Sequence, residues 1–309
     1  MTEPDSSKLA RALRLVDFRR LPKRMQTVVT ILASVLFAAG AVLAWQRLGT
    51  SVAEMKWWPA VGVLLTAPLP LILSAIEFRI TAEGLGDHVD ARTAVQVAVL
   101  GYAANFLPIP GGTILRISTL SGNPDLSARR STHSTVTVGG FWLAVASLSA
   151  GAGLFVLGAA WVGLVLLAAS LAALTFSGWG AARLHPRPST RLFVSRILAV
   201  EVLFIVVAAV RTYLAFLVFG LAVPPLAALV VATSSALSTA VGIAPSGLGL
   251  REGIAAVLAG AAGISPSAGF LASALLRIAG VVAAGAISVA TALWKRTSDS
   301  KGDPAAGES

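Results

Sequence analysis

Cysteine is absent from the chain, which rules out disulfides, thiolate nucleophiles and cysteine-held metals. Histidine is nearly as scarce. His88, His133 and His185 fall in separate predicted loops without ligand spacing, so no metal site is expected. No Walker loop, dinucleotide fingerprint or Ser/His/Asp set occurs. The reading is therefore a protein that is not an enzyme, needs no cofactor and does not itself use ATP. Charge is thin as well: Asp, Glu, Lys and Arg supply 12% of the 309 residues, about half the usual share for a soluble domain.

Apolar residues fill the gap, at 56% of the chain with a mean hydropathy of +0.82. They gather into runs near the roughly 20 residues that carry a helix across a ~30 Å hydrocarbon layer. A soluble protein of this composition would expose aggregating patches. The expected fold class is all-α: a polytopic membrane protein with about six full spans and two re-entrant, broken-helix hairpins. A net charge of +10 could point to nucleic acid. Here, however, Lys and Arg sit in short loops and tails, as they do around membrane spans, and no nucleic-acid partner is expected. The first apolar run is longer than a signal-peptide core and lacks a small-x-small cleavage site, so it reads as a retained span.

Residues 1–26 form a basic cytoplasmic segment, 27–294 a single transmembrane domain, and 295–309 a disordered cytoplasmic tail. Spans are predicted at Thr27–Trp45, Trp57–Arg79, Ser134–Leu157, Trp161–Phe176, Val194–Phe219 and Ser267–Trp294. Two further apolar stretches are interrupted, Thr93–Leu120 at Pro108–Gly112 and Pro225–Leu258 at Pro245–Gly249. With the N-terminus inside and each broken stretch returning to its own face, the inner segments hold 18 Lys and Arg and the outer ones only Arg47 and Lys56. Full crossing of both stretches would move six basic residues outside, so the positive-inside rule favours re-entrant hairpins and cytoplasmic termini. The expected location is the bacterial cytoplasmic (inner) membrane.

The two breaks resemble each other. Pro110-Gly111-Gly112-Thr113-Ile114-Leu115-Arg116 aligns with Pro245-Ser246-Gly247-Leu248-Gly249-Leu250-Arg251 at an offset of 135. The same offset carries the flanking spans onto one another, giving repeat 1 at about 57–157 and repeat 2 at about 194–294. The charge topology makes the two copies inverted. Inverted repeats with helices broken at mid-membrane recur in secondary transporters, where half-helix ends form the substrate site. Proline and glycine free backbone groups that survive in a membrane only beside a cavity or ligand. A half-helix N-terminus and an arginine one turn beyond it both suit phosphate or carboxylate.

Arg116, Glu201, Arg211, Arg251, Glu252 and Arg277 lie within apolar sequence, with Glu77 and Arg79 at a span end. A lipid-facing charge costs about 2.5–3.5 kcal/mol at the bilayer centre, so these residues are expected to face inward. Their surplus of arginine calls for an anionic guest. Structural pairing is the competing reading, for instance Glu201 with Arg211 or Glu252 with Arg277. The candidate binding residues are Arg116 and Arg251, then Asn105, Gly111, Gly112, Gly247, Gly249, Glu252, Arg211 and Arg277.

Asn105-Phe106-Leu107-Pro108-Ile109-Pro110-Gly111-Gly112, followed by Arg116, resembles the first signature of the lysylphosphatidylglycerol synthase/flippase transmembrane region. Ser246-Gly247-Leu248-Gly249-Leu250-Arg251-Glu252-Gly253, with Arg277 beyond, resembles the second. The family often carries an acidic residue just before the hydrophobic pair preceding the first arginine. Here that residue is Thr113, which leaves Arg116 without that partner. The resemblance implies movement of a phospholipid between leaflets, without the cytosolic synthase domain, for which the tail has no room. Related membrane regions accompany polyprenyl-linked glycan and hopanoid pathways, so the cargo does not transfer with the fold. The expected function is translocation of an anionic or phosphate-bearing lipid. A membrane-embedded lipid- or glycan-modifying enzyme using Glu252 or Glu77 as base is one alternative. A non-catalytic subunit of an envelope-biogenesis complex is another, and self-association is left open.

Overall fold

The computed structural model describes residues 35, 37–47, 54–104, 111–122, 126–184, 189–241 and 249–299, and no strand occurs among them. The expectations for residues 1–26, the Pro108–Pro110 and Pro245–Leu248 breaks and the last ten residues lie outside that set. Helix α1 covers residues 37–47. It is followed by α2 (Trp57–Leu65), α3 (Leu69–Gly84), α4 (Ala91–Ala104), α5 (Gly111–Leu120), α6 (Ala128–Val156) and α7 (Ala160–Leu184). The second half holds α8 (Ser189–Val218), α9 (Pro225–Ala232), α10 (Ser234–Val241), α11 (Leu250–Ala261) and α12 (Pro266–Asp299).

Among the described residues, five stretches are long and apolar enough to cross a membrane: Trp57–Gly84, Ala128–Val156, Ala160–Leu184, Thr190–Val218 and Pro266–Ala290. Of the predicted first span, residues 35 and 37–45 are described, and they are helical. Trp57–Gly84 is not one straight helix. Pro68 and Pro70 cannot donate the amides that would continue the ladder, so α2 ends and α3 restarts across Thr66–Pro68. Thr66 Oγ1 donates back to the Gly62 carbonyl at 2.7 Å.

Several predicted boundaries move outward. Helix α6 begins at Ala128 rather than Ser134, capped by Ser127, so His133 lies in a helix and not in a loop. Helix α7 runs eight residues past Phe176 to Leu184. The first extension is polar, while the second is mostly small and apolar and carries Ser177 and Arg183. The Arg183 guanidinium lies 3.6 Å from the Trp179 ring centroid.

The element order repeats. Shifting Trp57–Gly84, α4, α5 and α6 by 135 residues lands them on α8, α9 with α10, α11 and α12 in turn. Helix α7 lies between the two copies, and the same offset carries α1 onto residues 172–182 within it. In each copy the paired short helices pack together, α4 on α5 and α10 on α11. Gly101 of α4 faces Gly112 of α5, where an added Cβ would lie 3.4 Å from Gly112 Cα, about van der Waals contact.

Lipid tails are as apolar as leucine, so helix association relies on close packing of small residues and on hydrogen bonds. Helices α6 and α7 show both. A Cβ on Gly151 would come within 2.9 Å of the Gly163 carbonyl, and one on Gly163 within 2.7 Å of the Gly151 carbonyl. Ser170 Oγ donates to the Ala144 carbonyl at 2.8 Å. Helices α11 and α12 meet similarly, where a Cβ on Gly269 would be 2.5 Å from Ala255 O and Ala259 Cβ. Overpacking of this kind costs about 1–3 kcal/mol. Gly151→Leu should therefore lower the melting temperature in detergent by several degrees. Gly139→Leu, on the same helix with open space around it, should leave it unchanged.

Candidate functional site

The intramembrane charges form two clusters joined by α8. In the first, Ser74 and Glu77 stand three residues apart on one face of α3 and meet Arg116 of α5. Arg116 Nη1 donates to Glu77 Oε1 at 2.6 Å and Nη2 to Ser74 Oγ at 2.7 Å, with the second Glu77 oxygen at 3.5 Å. The partner missing at Thr113 is thus supplied by a neighbouring helix. Glu201 of α8 completes the group, within Coulombic reach of Glu77 and Arg116. It is 1% exposed, and neither carboxylate oxygen has a hydrogen-bond partner among the described residues.

The second cluster gathers Arg211 of α8, Arg251 and Glu252 of α11, Arg277 of α12 and Tyr102 of α4. Glu252 is fully buried, with Arg277 Nε 2.8 Å from Oε1 and Nη2 donating to Oε2 at 3.3 Å. Glu252 Oε2 also accepts from Gly249 N at 3.0 Å, the glutamate half of a capping box at the start of α11. Gly249 holds φ at +80° there, a conformation that a side chain would strain. Glu252 and Arg277 thus form a structural ion pair, one of the pairings the sequence suggested. The other, Glu201 with Arg211, is not present: ten residues separate them along α8, ~15 Å of rise, and each faces a different cluster.

That leaves two guanidinia. Arg211 is 7% exposed. Its Nε and Nη2, and Arg251 Nε, are buried without a hydrogen-bond partner among the described residues. Arg211 and Arg251 lie in each other's field, with Tyr102 facing both. Tyr102 packs over Gly280 of α12 and donates from its hydroxyl to the Arg277 carbonyl at 3.4 Å. Its ring also lines a cleft of about 230 Å³ with Ala103, Val281, Ala284, Gly285 and Ser288, between α4 and α12. The cleft and the two arginines, Arg211 buried and Arg251 partly buried, therefore share one tyrosine.

Among the other predicted residues, Gly111 opens α5 and Gly112 is buried beside Gly101. Asn105 and Gly247 lie outside the described residues. Sequence reasoning missed Tyr102, one of only two tyrosines, and Ser74. It also ranked Arg116 level with Arg251, which the structure separates. In the loop before α4, hydrogen bonds from the Thr93 side chain and from Thr93 N, the latter 3.1 Å from Asp90 Oδ2, hold the Asp90 carboxyl below the ordinary value.

The two clusters differ in what charge removal should do. Glu77→Gln strands Arg116 and should cost roughly 3 kcal/mol, the low end for a buried pair because Arg116 keeps 23% side-chain exposure. Arg211→Leu removes a buried charge that has no partner and should leave the melting temperature unchanged or raise it. Thermal melts in detergent check both.

No curated protein matches the chain. The family model described as the lysylphosphatidylglycerol synthase TM region matches residues 27–288, nearly all of the helical bundle. With its long apolar helices, the chain is a multi-pass α-helical membrane protein and belongs to the lysylphosphatidylglycerol synthase transmembrane-region family.

Proposed function

We propose that this protein moves an anionic, phosphate-bearing lipid between membrane leaflets, with Arg211 and Arg251 holding the headgroup. The supporting observation is the pair of guanidinia, Arg211 buried and Arg251 partly buried, that form no ion pair among the described residues and share Tyr102 with a cleft. An arginine presents a planar fork that matches phosphate oxygens. The bundle stores positive charge at a site that an anion would neutralise. The cleft is below the usual size of a small-molecule pocket and takes one segment of an alkyl or isoprenoid chain. Arg116, bonded to Glu77 and Ser74, serves to position α5. The enzyme alternative draws no support from its candidate bases, since Glu77 and Glu252 are both engaged in ion pairs.

In this reading the short helices form re-entrant hairpins, the two copies are inverted, and both termini are cytoplasmic at the inner membrane. Helices α4 and α5 have 14 and 10 residues, ~21 and ~15 Å of rise against a ~30 Å core. The cysteine-free chain makes a direct test simple. Single cysteines in His88→Cys and Ser121→Cys should both react with an impermeant maleimide from the cytoplasmic side, and Glu54→Cys from the outside. Labelling of Ser121→Cys from the outside would mean that α4 and α5 cross.

The function itself is tested in proteoliposomes carrying a fluorescent anionic phospholipid. Arg211→Gln with Arg251→Gln should slow leaflet transfer at least about tenfold, the loss expected for one charge-assisted hydrogen bond. Transfer at the wild-type rate by the folded double variant would overturn the assignment.

A further inference from the structure

Glu201 is left over from the site above. It lies near the middle of the Thr190–Val218 span, 1% exposed and with both carboxylate oxygens unbonded among the described residues. One turn to either side, Ile197 and Ile205 are buried in apolar clusters with Phe141 and Val145 respectively. The charged groups that reach it are Glu77 of α3 and Arg116 of α5. Helices α2 and α9, which also pack on α8, carry no charge. Arg129, Arg130 and His133 stand in the first six residues of α6, and Arg183 at the end of α7. Arg277 of α12 is paired with Glu252. Two carboxylates thus share one guanidinium, and the bonds of that guanidinium go to Glu77 and Ser74.

A carboxylate without a partner in an apolar seam is unfavourable, and a proton removes the charge without displacing any neighbour. A metal cation fits poorly. It needs several oxygen ligands, whereas Glu77 is committed to Arg116, whose own charge repels it. No group of three or more metal-ligating side chains exists among the described residues.

We infer that Glu201 is a proton-binding site that couples proton movement to the movement of the anion held at Arg211. The coupling rests on two features. Deprotonated Glu201 competes with Glu77 for Arg116, and protonation returns Arg116 to Glu77, so α5 has two charge-set positions against α8. The single helix α8 carries both Glu201 and Arg211, so a displacement at one end is felt at the other. The coupling half of this inference rests on the lipid-transport reading above; the proton site itself does not.

Two measurements separate them. The first is infrared difference spectroscopy of the purified protein across a pH titration. A protonated-carboxyl C=O band should appear in wild type and be absent from Glu201→Gln and Glu201→Leu. Two neutral replacements guard against one of them failing to fold. A spectrum in which either folded variant matches wild type overturns the proton site. The second is transfer of the fluorescent anionic lipid in proteoliposomes with and without an imposed pH gradient. Wild type should respond, by up to about tenfold per pH unit for one coupled proton, since one unit is tenfold in proton activity. Glu201→Gln should transfer lipid at a rate indifferent to the gradient. Transfer that ignores the pH gradient in wild type, or follows a sodium gradient at constant pH, overturns the coupling and leaves the lipid reading intact. A titrating band without any lipid transfer overturns the lipid reading and leaves the proton site standing.

Discussion

Charge buried among apolar helices must find an opposite charge, shed its own or wait for a ligand, and in the proposed reading each of the three happens in a different place. Glu77 with Arg116 and Glu252 with Arg277 are closed ion pairs that hold α5 and α11 against their neighbours. Glu201 has no bonded partner among the described residues and belongs to a group with one carboxylate too many. Arg211 and Arg251 belong to a group with two guanidinia too many. These surpluses have opposite sign and sit ~15 Å apart along one helix. Both clusters are arranged around α8, which carries one member of each.

The 135-residue offset gives this arrangement a simple origin. Arg116 and Arg251 are equivalent in sequence, yet their surroundings are not. The residue equivalent to Glu77 is Thr212, and the one equivalent to Glu201 is Thr66. Each copy therefore has a carboxylate where the other has a threonine, and Arg211 stands one position before the exchanged Thr212. Exchanging single residues at matched positions turned one arginine into a structural brace and left the other open. The family fold supplies the scaffold, while the local partners decide the chemistry.

Much of this was legible in the sequence. Composition alone separates membrane from soluble, and the apolar runs at Trp57, Trp161 and Ser267 locate helices to within a few residues. The repeated Pro-x-Gly motifs with their arginines marked the helices that carry charges of both clusters. Other features were not legible, for definable reasons. Helix ends at Ala128 and Leu184 extend beyond the hydropathy signal because a helix can emerge from lipid with Arg and Ser on its surface. The break at Thr66–Pro68 has a local signature in Pro68 and Pro70, which a hydropathy reading passes over because the flanking residues are uniformly apolar. Which arginine finds a partner is a question of tertiary neighbours: nothing near Thr113 in the chain points to Glu77, 36 residues earlier. Tyr102 is an ordinary interfacial aromatic until α12 is laid across it.

Helix α7 lies between the copies at 57–157 and 194–294, at the place the offset gives to α1, and only 17% of its most apolar window is buried. It leans on α6 through Gly151, Gly163 and Ser170 and holds none of the charges of either cluster. Its contribution is one of parity. In the proposed topology each copy starts and finishes on the same face, so two copies joined directly would be inserted in the same sense. A single additional crossing reverses the second copy relative to the first. The side chains of α7 can then vary freely so long as it remains one apolar crossing that fits the glycines of α6, because what the rest of the molecule takes from it is a sign.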